Sequence, residues 1–283
     1  MEKLKNILIK GANEKPVALD IFYTGAGPKK LVIYAHGFNG FKDWGNFDMI
    51  AAQFAEAGFL FVKFNFSHNG TTPDDPENFA DLEAFAQNNY TKELYDLQQV
   101  IDWCLNGENP FLQSLSIEKL FLLGHSMGGG IALLKAAEEP RVDAITTWAS
   151  IAYCKTPWGN WPKEKIDEWK STGVQYIING RTKQEMPLNY QLYINYEENK
   201  ERLDILKAVS TLQIPLLICH STADEAVPFQ QAIQIKEAAK KAILFSVDSD
   251  HVFGRKHPWI EPTLPEAAQK VVMETITFFK EIP

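Results

Sequence analysis

The stretch LFLLGHSMGGGIALL, residues 120–134, decides how the chain folds. Its first four residues are apolar and predict a buried strand, and the apolar run from Ile131 predicts a helix. Between them, Gly124 and Gly128 flank Ser126 and leave room for a sharp strand-to-helix turn that presents the hydroxyl. A dinucleotide-binding loop needs G-x-G-x-x-G and a P-loop needs Gly-Lys-Ser/Thr, and the stretch has neither. It therefore predicts a serine nucleophile.

Strands and helices alternate on both sides of this turn, which indicates a mostly parallel sheet with helices on both faces. The fold class is therefore α/β. Besides 120–123, we predict strands at 4–10, 17–24, 31–35, 59–66, 144–149, 215–219 and 242–247. We predict helices at 47–57, from Thr91 to about 105, and at 131–138, 229–240 and about 264–281.

The alternation breaks after the sixth strand. We assign residues 1–150 and 208–283 to the α/β core and residues 151–207 to a cap or lid insertion, in which Val174–Arg181 predicts a hairpin with an Asn-Gly turn. The insertion is rich in Trp and Tyr, whose polar tips suit a partly wet pocket wall. These aromatic residues either contact substrate or only pack the insertion onto the sheet. The substrate-binding candidates are Trp158, Trp161 and Tyr176.

Composition narrows the function. The net charge of −8 and the absence of a basic run argue against nucleic-acid binding. The three cysteines are widely spaced, so neither a disulfide framework nor a zinc site is expected. The N-terminus lacks a signal-peptide pattern and no stretch is apolar enough to span a membrane. We expect a cytoplasmic protein without a metal or organic cofactor; the sequence leaves the oligomeric state open.

With the serine turn in this context, the chain resembles the α/β-hydrolase superfamily over nearly its whole length. The resemblance places the catalytic base after the last strand, which favours His251 over His257. Asp224 lies in HSTADEAVP, residues 220–228, which resembles the family's acid loop except that Ser221 stands where glycine is commoner. The order Ser126, Asp224, His251 is the order of this fold. Rival acids are Glu225, Asp248 and Asp250.

An oxyanion hole needs two backbone N–H groups. One is expected from Met127, directly after the nucleophile. The resemblance places the other at Phe38, within HGFNG at residues 36–40, after the third strand.

Within the superfamily, the hairpin cap and the loop from His36 to Trp44 look most like bacterial cinnamoyl or feruloyl esterase-like carboxylesterases. Dienelactone hydrolases use cysteine where this chain has Ser126, and haloalkane dehalogenases and epoxide hydrolases need aspartate there. The resemblance implies a serine hydrolase that cleaves a small-molecule carboxylic ester, of aromatic (cinnamoyl-type) or short-chain acyl groups, through an acyl-enzyme. Amide or peptide hydrolysis and acyl transfer use the same residues and stay open. A non-catalytic ligand-binding protein is the remote alternative.

Overall fold

An eight-stranded sheet forms the centre of the computed structural model, which describes residues 1–283. The strands are β1 Glu2–Lys10, β2 Pro16–Tyr23, β3 Gly27–Ala35, β4 Leu60–Asn65, β5 Leu115–His125, β6 Val142–Trp148, β7 Val174–Ile178, β8 Glu185–Asn189, β9 Leu216–Ser221 and β10 Ala242–Val247. The sheet order is β1-β2-β4-β3-β5-β6-β9-β10, and β7 and β8 form a separate antiparallel hairpin. In the large sheet, β2 alone runs opposite to the others.

Helices cover both faces of the sheet, and the predicted α/β-hydrolase architecture is confirmed. The helices are α1 Phe47–Glu56, α2 Leu82–Ala86, α3 Tyr90–Leu105, α4 Met127–Glu138, α5 Lys163–Thr172, α6 Gln191–Glu198, α7 Ile205–Thr211, α8 Gln230–Ala238 and α9 Glu266–Glu281. One apolar cluster joins α1 and α9 to the sheet, and a second joins α3, α4, α7 and α8 to the opposite face. None of the nine combines the length and the apolar character that crossing a membrane requires.

Two helices start at positions that differ from the predicted ones. The N-cap of α3 is Asn89, two residues before Thr91, because the Asn89 side chain accepts the Lys92 N–H at 3.0 Å. Helix α4 begins at Met127, not Ile131, because Ser126 itself occupies the N-cap position. The three consecutive glycines after Met127 are therefore helical.

The insertion after β6 contains α5, the β7–β8 hairpin and α6. The hairpin is longer than predicted: its loop is 179–184, where the Asn179 side chain accepts the N–H groups of Arg181 and Thr182. Gly180 has no positive φ, so the two-residue Asn-Gly turn does not form. The proposed core boundary at 207/208 falls inside α7, which packs on α4 and α8.

The junction of β5 and α4 is tightly packed. Ser126 has φ 56° and ψ −120°, a conformation that L-residues rarely adopt. A Cβ on Gly128 would lie 2.3 Å from the His36 carbonyl oxygen, and one on Gly124 would lie 2.3 Å from the Gly128 carbonyl oxygen. These are backbone atoms of neighbouring elements, so they cannot rotate away. The turn therefore requires glycine at both positions.

We predict that Gly128→Ala lowers the free energy of unfolding by about 3 kcal/mol or prevents folding, because the added methyl collides with the end of β3. Gly107→Ala is the matched control, since its Cβ would meet no atom within 4 Å. The control should stay within about 0.5 kcal/mol of the wild type. Urea unfolding followed by circular dichroism measures both, and equal stability of the two variants would contradict the prediction.

Candidate active site

The loops after β9 and β10 bring Asp224 and His251 together. The His251 Nδ1–H donates a hydrogen bond to Asp224 Oδ2 at 2.8 Å. Asp224 is 6% exposed and His251 is partly exposed. Since Nδ1 carries the proton, Nε2 of the neutral ring is left as a proton acceptor. This pair has the geometry of an acid that orients a base.

The second carboxylate oxygen of Asp224 is also satisfied. Oδ1 accepts the backbone N–H groups of Ala226 at 2.9 Å and Val227 at 2.8 Å. Burial alone would raise the pKa of Asp224, but the adjacent His220 ring and the hydrogen bonds from His251 and the backbone outweigh it and hold that pKa well below its usual range. Asp224 is therefore an anion wherever the protein is folded near neutral pH.

Ser126 faces the same space as His251. Both side chains line two cavities at the carboxyl end of the sheet. No hydrogen bond joins the Ser126 hydroxyl to the His251 ring, a separation that is common in ligand-free sites and closes when substrate binds. The structure thus brings the three sequence-predicted residues to one place and forms one of their two hydrogen bonds.

The two predicted oxyanion donors lie beside Ser126. Met127 is the first residue of α4, where a backbone N–H has no partner within the helix. Phe38 follows Gly37, and a Cβ on Gly37 would lie 2.9 Å from Cβ of Ser126, so the 37–38 backbone touches the nucleophile. Phe38 N–H makes no hydrogen bond within the chain. The next residue, Asn39, has φ 55°, which turns the loop back.

Two cavities meet at Phe38, Ser126 and His251. The larger cavity has a volume of about 610 Å³ and the smaller cavity about 200 Å³. The insertion contributes to the larger cavity only through its first ten residues. The residues that do so are Ile151, Tyr153, Lys155, Thr156, Pro157, Gly159 and Asn160.

The three predicted substrate-binding residues of the cap lie outside both cavities. Trp158 is 4% exposed, and its ring lies 6.0 Å from that of Trp169 and 5.8 Å from that of Tyr196. Trp161 also packs on Trp169, with ring centres 5.3 Å apart. Tyr176 is 53% exposed on the hairpin. The two tryptophans pack the insertion onto the apolar core, because so short a segment has few other large apolar side chains.

Two histidines that the sequence did not assign to the site contact the acid–base pair. His220, at the end of β9, donates from Nε2 to the Val227 carbonyl at 2.9 Å and lies 3.3 Å from Asp224 Oδ2. His125 donates from Nε2 to the His251 carbonyl at 3.1 Å, and the two rings are 4.9 Å apart. Burial lowers the pKa of His125 well below its usual value, so this ring is neutral. The sequence does contain one signal for both histidines, because each lies at the carboxyl end of a strand, where the site forms.

An acidic cluster of Asp20, Asp43 and Asp48 has the ligand types of a cation site, but lysines already fill it. Lys42 Nζ lies 2.8 Å and Lys63 Nζ 3.3 Å from Asp20 Oδ2, and both lysines are almost fully buried. Lys5 Nζ lies 2.6 Å from Asp48 Oδ2, so three ammonium groups balance the three carboxylates. The cluster therefore anchors the loop between β3 and α1 and does not fit a metal ion.

Comparison with known proteins agrees with this geometry. A sequence model of the α/β hydrolase fold matches residues 30–258, and the chain belongs to this family. No curated protein matches the sequence significantly.

Solved structures match over the whole chain at low identity. Est1E from Butyrivibrio proteoclasticus, solved with ferulic acid bound, has a TM-score of 0.69 and 17% identity, and the match covers 98% of each chain. The α/β hydrolase GrgF from Penicillium sp. sh18 has a TM-score of 0.70 and 17% identity, covering 100% of this chain and 99% of that one. A monoacylglycerol lipase from Paleococcus ferrophilus has a TM-score of 0.65 and 17% identity, covering 94% and 99%. At this identity, the likeness shows a shared fold.

Proposed function

We propose that this protein is a serine hydrolase that cleaves carboxylic esters. The observation that carries the proposal is the Asp224–His251 hydrogen bond at 2.8 Å. His251 lines the same cavities as Ser126, which lies in a strained strand-to-helix turn. A carboxylate, an imidazole and a hydroxyl in this arrangement are the parts of an activated nucleophile. Esterase and lipase structures of the same fold add support.

Acylation begins when the Ser126 oxygen attacks the ester carbonyl while His251 Nε2 takes its proton. The carbonyl oxygen becomes an anion, which the N–H groups of Phe38 and Met127 bind. Asp224 stabilises the charged His251 ring through the Nδ1–H hydrogen bond. The tetrahedral intermediate collapses, the carbon–oxygen bond to the leaving alcohol breaks, and His251 gives the alcohol its proton. Ser126 is then acylated.

Deacylation repeats these steps with water. His251 Nε2 takes a proton from water, and the hydroxide attacks the acyl carbon. The carbon–oxygen bond to Ser126 breaks, Ser126 regains the proton from His251, and the carboxylic acid leaves. Neutral His125 keeps a second positive charge away from His251 and holds the His251 backbone through its carbonyl.

The volumes of the two cavities support a limit on the size of the substrate. An ester carbonyl at Ser126 has its acyl group on one side and its alcohol on the other, and two cavities meet at this point. The smaller cavity has room for a short chain or a single ring, and the larger cavity for a bulkier group. The ferulic acid bound by Est1E has this kind of size, which supports aromatic acyl esters as a first panel.

We predict that a fluorophosphonate adds one adduct to the wild-type protein and none to Ser126→Ala, because only an activated serine attacks phosphorus. Ser116→Ala, an exposed serine on the same strand β5, is the control and should label as the wild type does. Intact-protein mass spectrometry measures the adduct. Labelling of Ser126→Ala at the wild-type rate would refute the assignment of the nucleophile.

His220 is predicted to act through Asp224. His220→Ala should lower kcat for a reactive ester about tenfold with little change in KM. The reason is that the loop from Asp224 to Val227 loses the hydrogen bond that His220 donates to the Val227 carbonyl. His220→Gln, which retains a donor, should recover part of the loss. In an Asp224→Asn background, His220→Ala should have almost no further effect on kcat. Additive losses in the double variant would show that His220 acts independently of the acid.

Two half-exposed tyrosines test which part of the insertion meets substrate. Tyr153 lines the larger cavity, whereas Tyr176 lies outside both cavities. We predict that Tyr153→Ala lowers kcat/KM for a bulky aryl ester about fivefold, since about 1 kcal/mol of ring contact is lost. Tyr176→Ala should leave it unchanged. Steady-state kinetics with a bulky and a small ester would contradict the assignment if Tyr176→Ala showed the larger effect.

A further inference from the structure

The lining of the smaller cavity includes a polar group that the proposed reaction does not use. Besides Ser126 and His251, the lining contains the aromatic residues Phe41, Trp44 and Phe47. The buried side chains of Tyr34 and Arg255 line the same cavity.

Arg255 is 3% exposed and carries no counter-ion. Its Nε donates to the Val252 carbonyl at 2.7 Å, but the two terminal nitrogens, Nη1 and Nη2, have no hydrogen-bond partner. The guanidinium carbon lies 4.8 Å from the ring centre of Phe47, 5.6 Å from that of Trp44 and 5.8 Å from that of Trp148. These rings stabilise a cation through their faces but accept no strong hydrogen bond.

The groups around Arg255 do not neutralise it. No carboxylate lies within 4 Å of the guanidinium, and Asp250 already accepts the N–H groups of Val252 and Gly254. Burial lowers the pKa of Arg255 to about 10, so the side chain is a cation at neutral pH. Burial also lowers the pKa of His36 to about 4, which leaves that ring neutral. A buried, unpaired cation with free donors is costly unless a ligand completes it.

Resting on the proposed function, we propose that the smaller cavity binds a carboxylate of the substrate and that the enzyme prefers esters carrying one. The carboxylate would accept two parallel hydrogen bonds from Nη1 and Nη2 of Arg255, the arrangement that a planar guanidinium favours. The connecting part of the substrate would lie against Phe41 and Trp44 and place the ester carbonyl at Ser126.

A carboxylate fits this cavity better than a phosphate. A phosphate ester is close to a dianion at neutral pH, and Arg255 is the one cation that lines the smaller cavity. A carboxylate has one negative charge, which Arg255 balances. A volume of about 200 Å³ corresponds to roughly seven water molecules, enough for a carboxylate on a short chain or a ring.

Matched ester pairs test the proposal. In the acyl arm, the pair is the 4-nitrophenyl monoester of glutaric acid and the mixed diester in which the free carboxylate is methylated. Release of 4-nitrophenol is measured for both. In the alcohol arm, the pair is the butyrate ester of 4-hydroxyphenylacetic acid and its methyl ester. We expect the wild type to prefer the anionic member at least about tenfold in kcat/KM in one arm, which also tells which side of the ester occupies the smaller cavity. No preference in either arm would overturn the proposal.

Substitutions assign the preference to Arg255. Arg255→Met keeps the length and removes the charge, and it should bring the ratio of the two kcat/KM values to about one. Arg255→Lys should keep part of the preference, and Lys256→Met, an exposed neighbour with the same charge change, should keep all of it. The ratio does not depend on the fraction of folded enzyme, so a partly unstable variant is still informative. A preference that survives in Arg255→Met would overturn the proposal.

Failure of the proposed function can be recognised separately. If the wild type neither hydrolyses any ester nor labels at Ser126, the esterase proposal fails. Glutarate is then titrated directly, with tryptophan fluorescence as the readout because Trp44 and Trp148 lie beside Arg255. Saturable quenching that Arg255→Met abolishes would support the carboxylate site, and its absence in the wild type would overturn it.

Discussion

The close approach of α4 to the end of β3 is the constraint on which the site depends. A Cβ at Gly128 would meet the carbonyl oxygens of His36 and Ala35 at 2.3 and 2.4 Å, so the first turn of α4 sits directly on the loop that follows β3. Next to this contact, the 37–38 backbone lies against Ser126, which has a positive φ. Ser126 and the backbone of Phe38 and Met127, to which we assign the nucleophile and the oxyanion donors, therefore lie at one packing contact between two backbone segments.

Buried charge is handled in two different ways around this centre. Lys42 and Lys63 are fully paired with Asp20 and its neighbours, and this ion network holds the loop that carries Phe41 and Trp44. Arg255 lines the same cavity, its guanidinium lies over the rings of Trp44 and Phe47, and its two terminal nitrogens have no hydrogen-bond partner. Paired charges stabilise the loop that lines the cavity, whereas an unpaired cation has donors that a ligand could use. This contrast is the reason we treat the lysine cluster as structural and propose Arg255 as a binding group.

Much of the fold could be predicted from the sequence, because each strand and helix of the core has its own apolar periodicity. The glycines around Ser126 also indicate a turn. Asp224 and His251 were predicted as acid and base through a resemblance, and the structure joins the two side chains by a hydrogen bond. The cap contacts could not be predicted, because a tryptophan that forms a core and one that lines a pocket look the same in sequence. The roles of Arg255 and His220 depend on which groups lie next to them in the folded chain. No local sequence pattern predicts those neighbours.

The insertion is continuous with the protein interior. Trp158, Trp169 and Leu192 belong to the same cluster of 47 buried apolar residues as the sheet strands and α3. A cover attached in this way cannot swing open as a rigid body without exposing part of the core to water. In evolutionary terms, changes in the residues that line the larger cavity are expected to alter which ligands fit, whereas changes in Trp158 and Trp169 are expected to alter whether the chain folds.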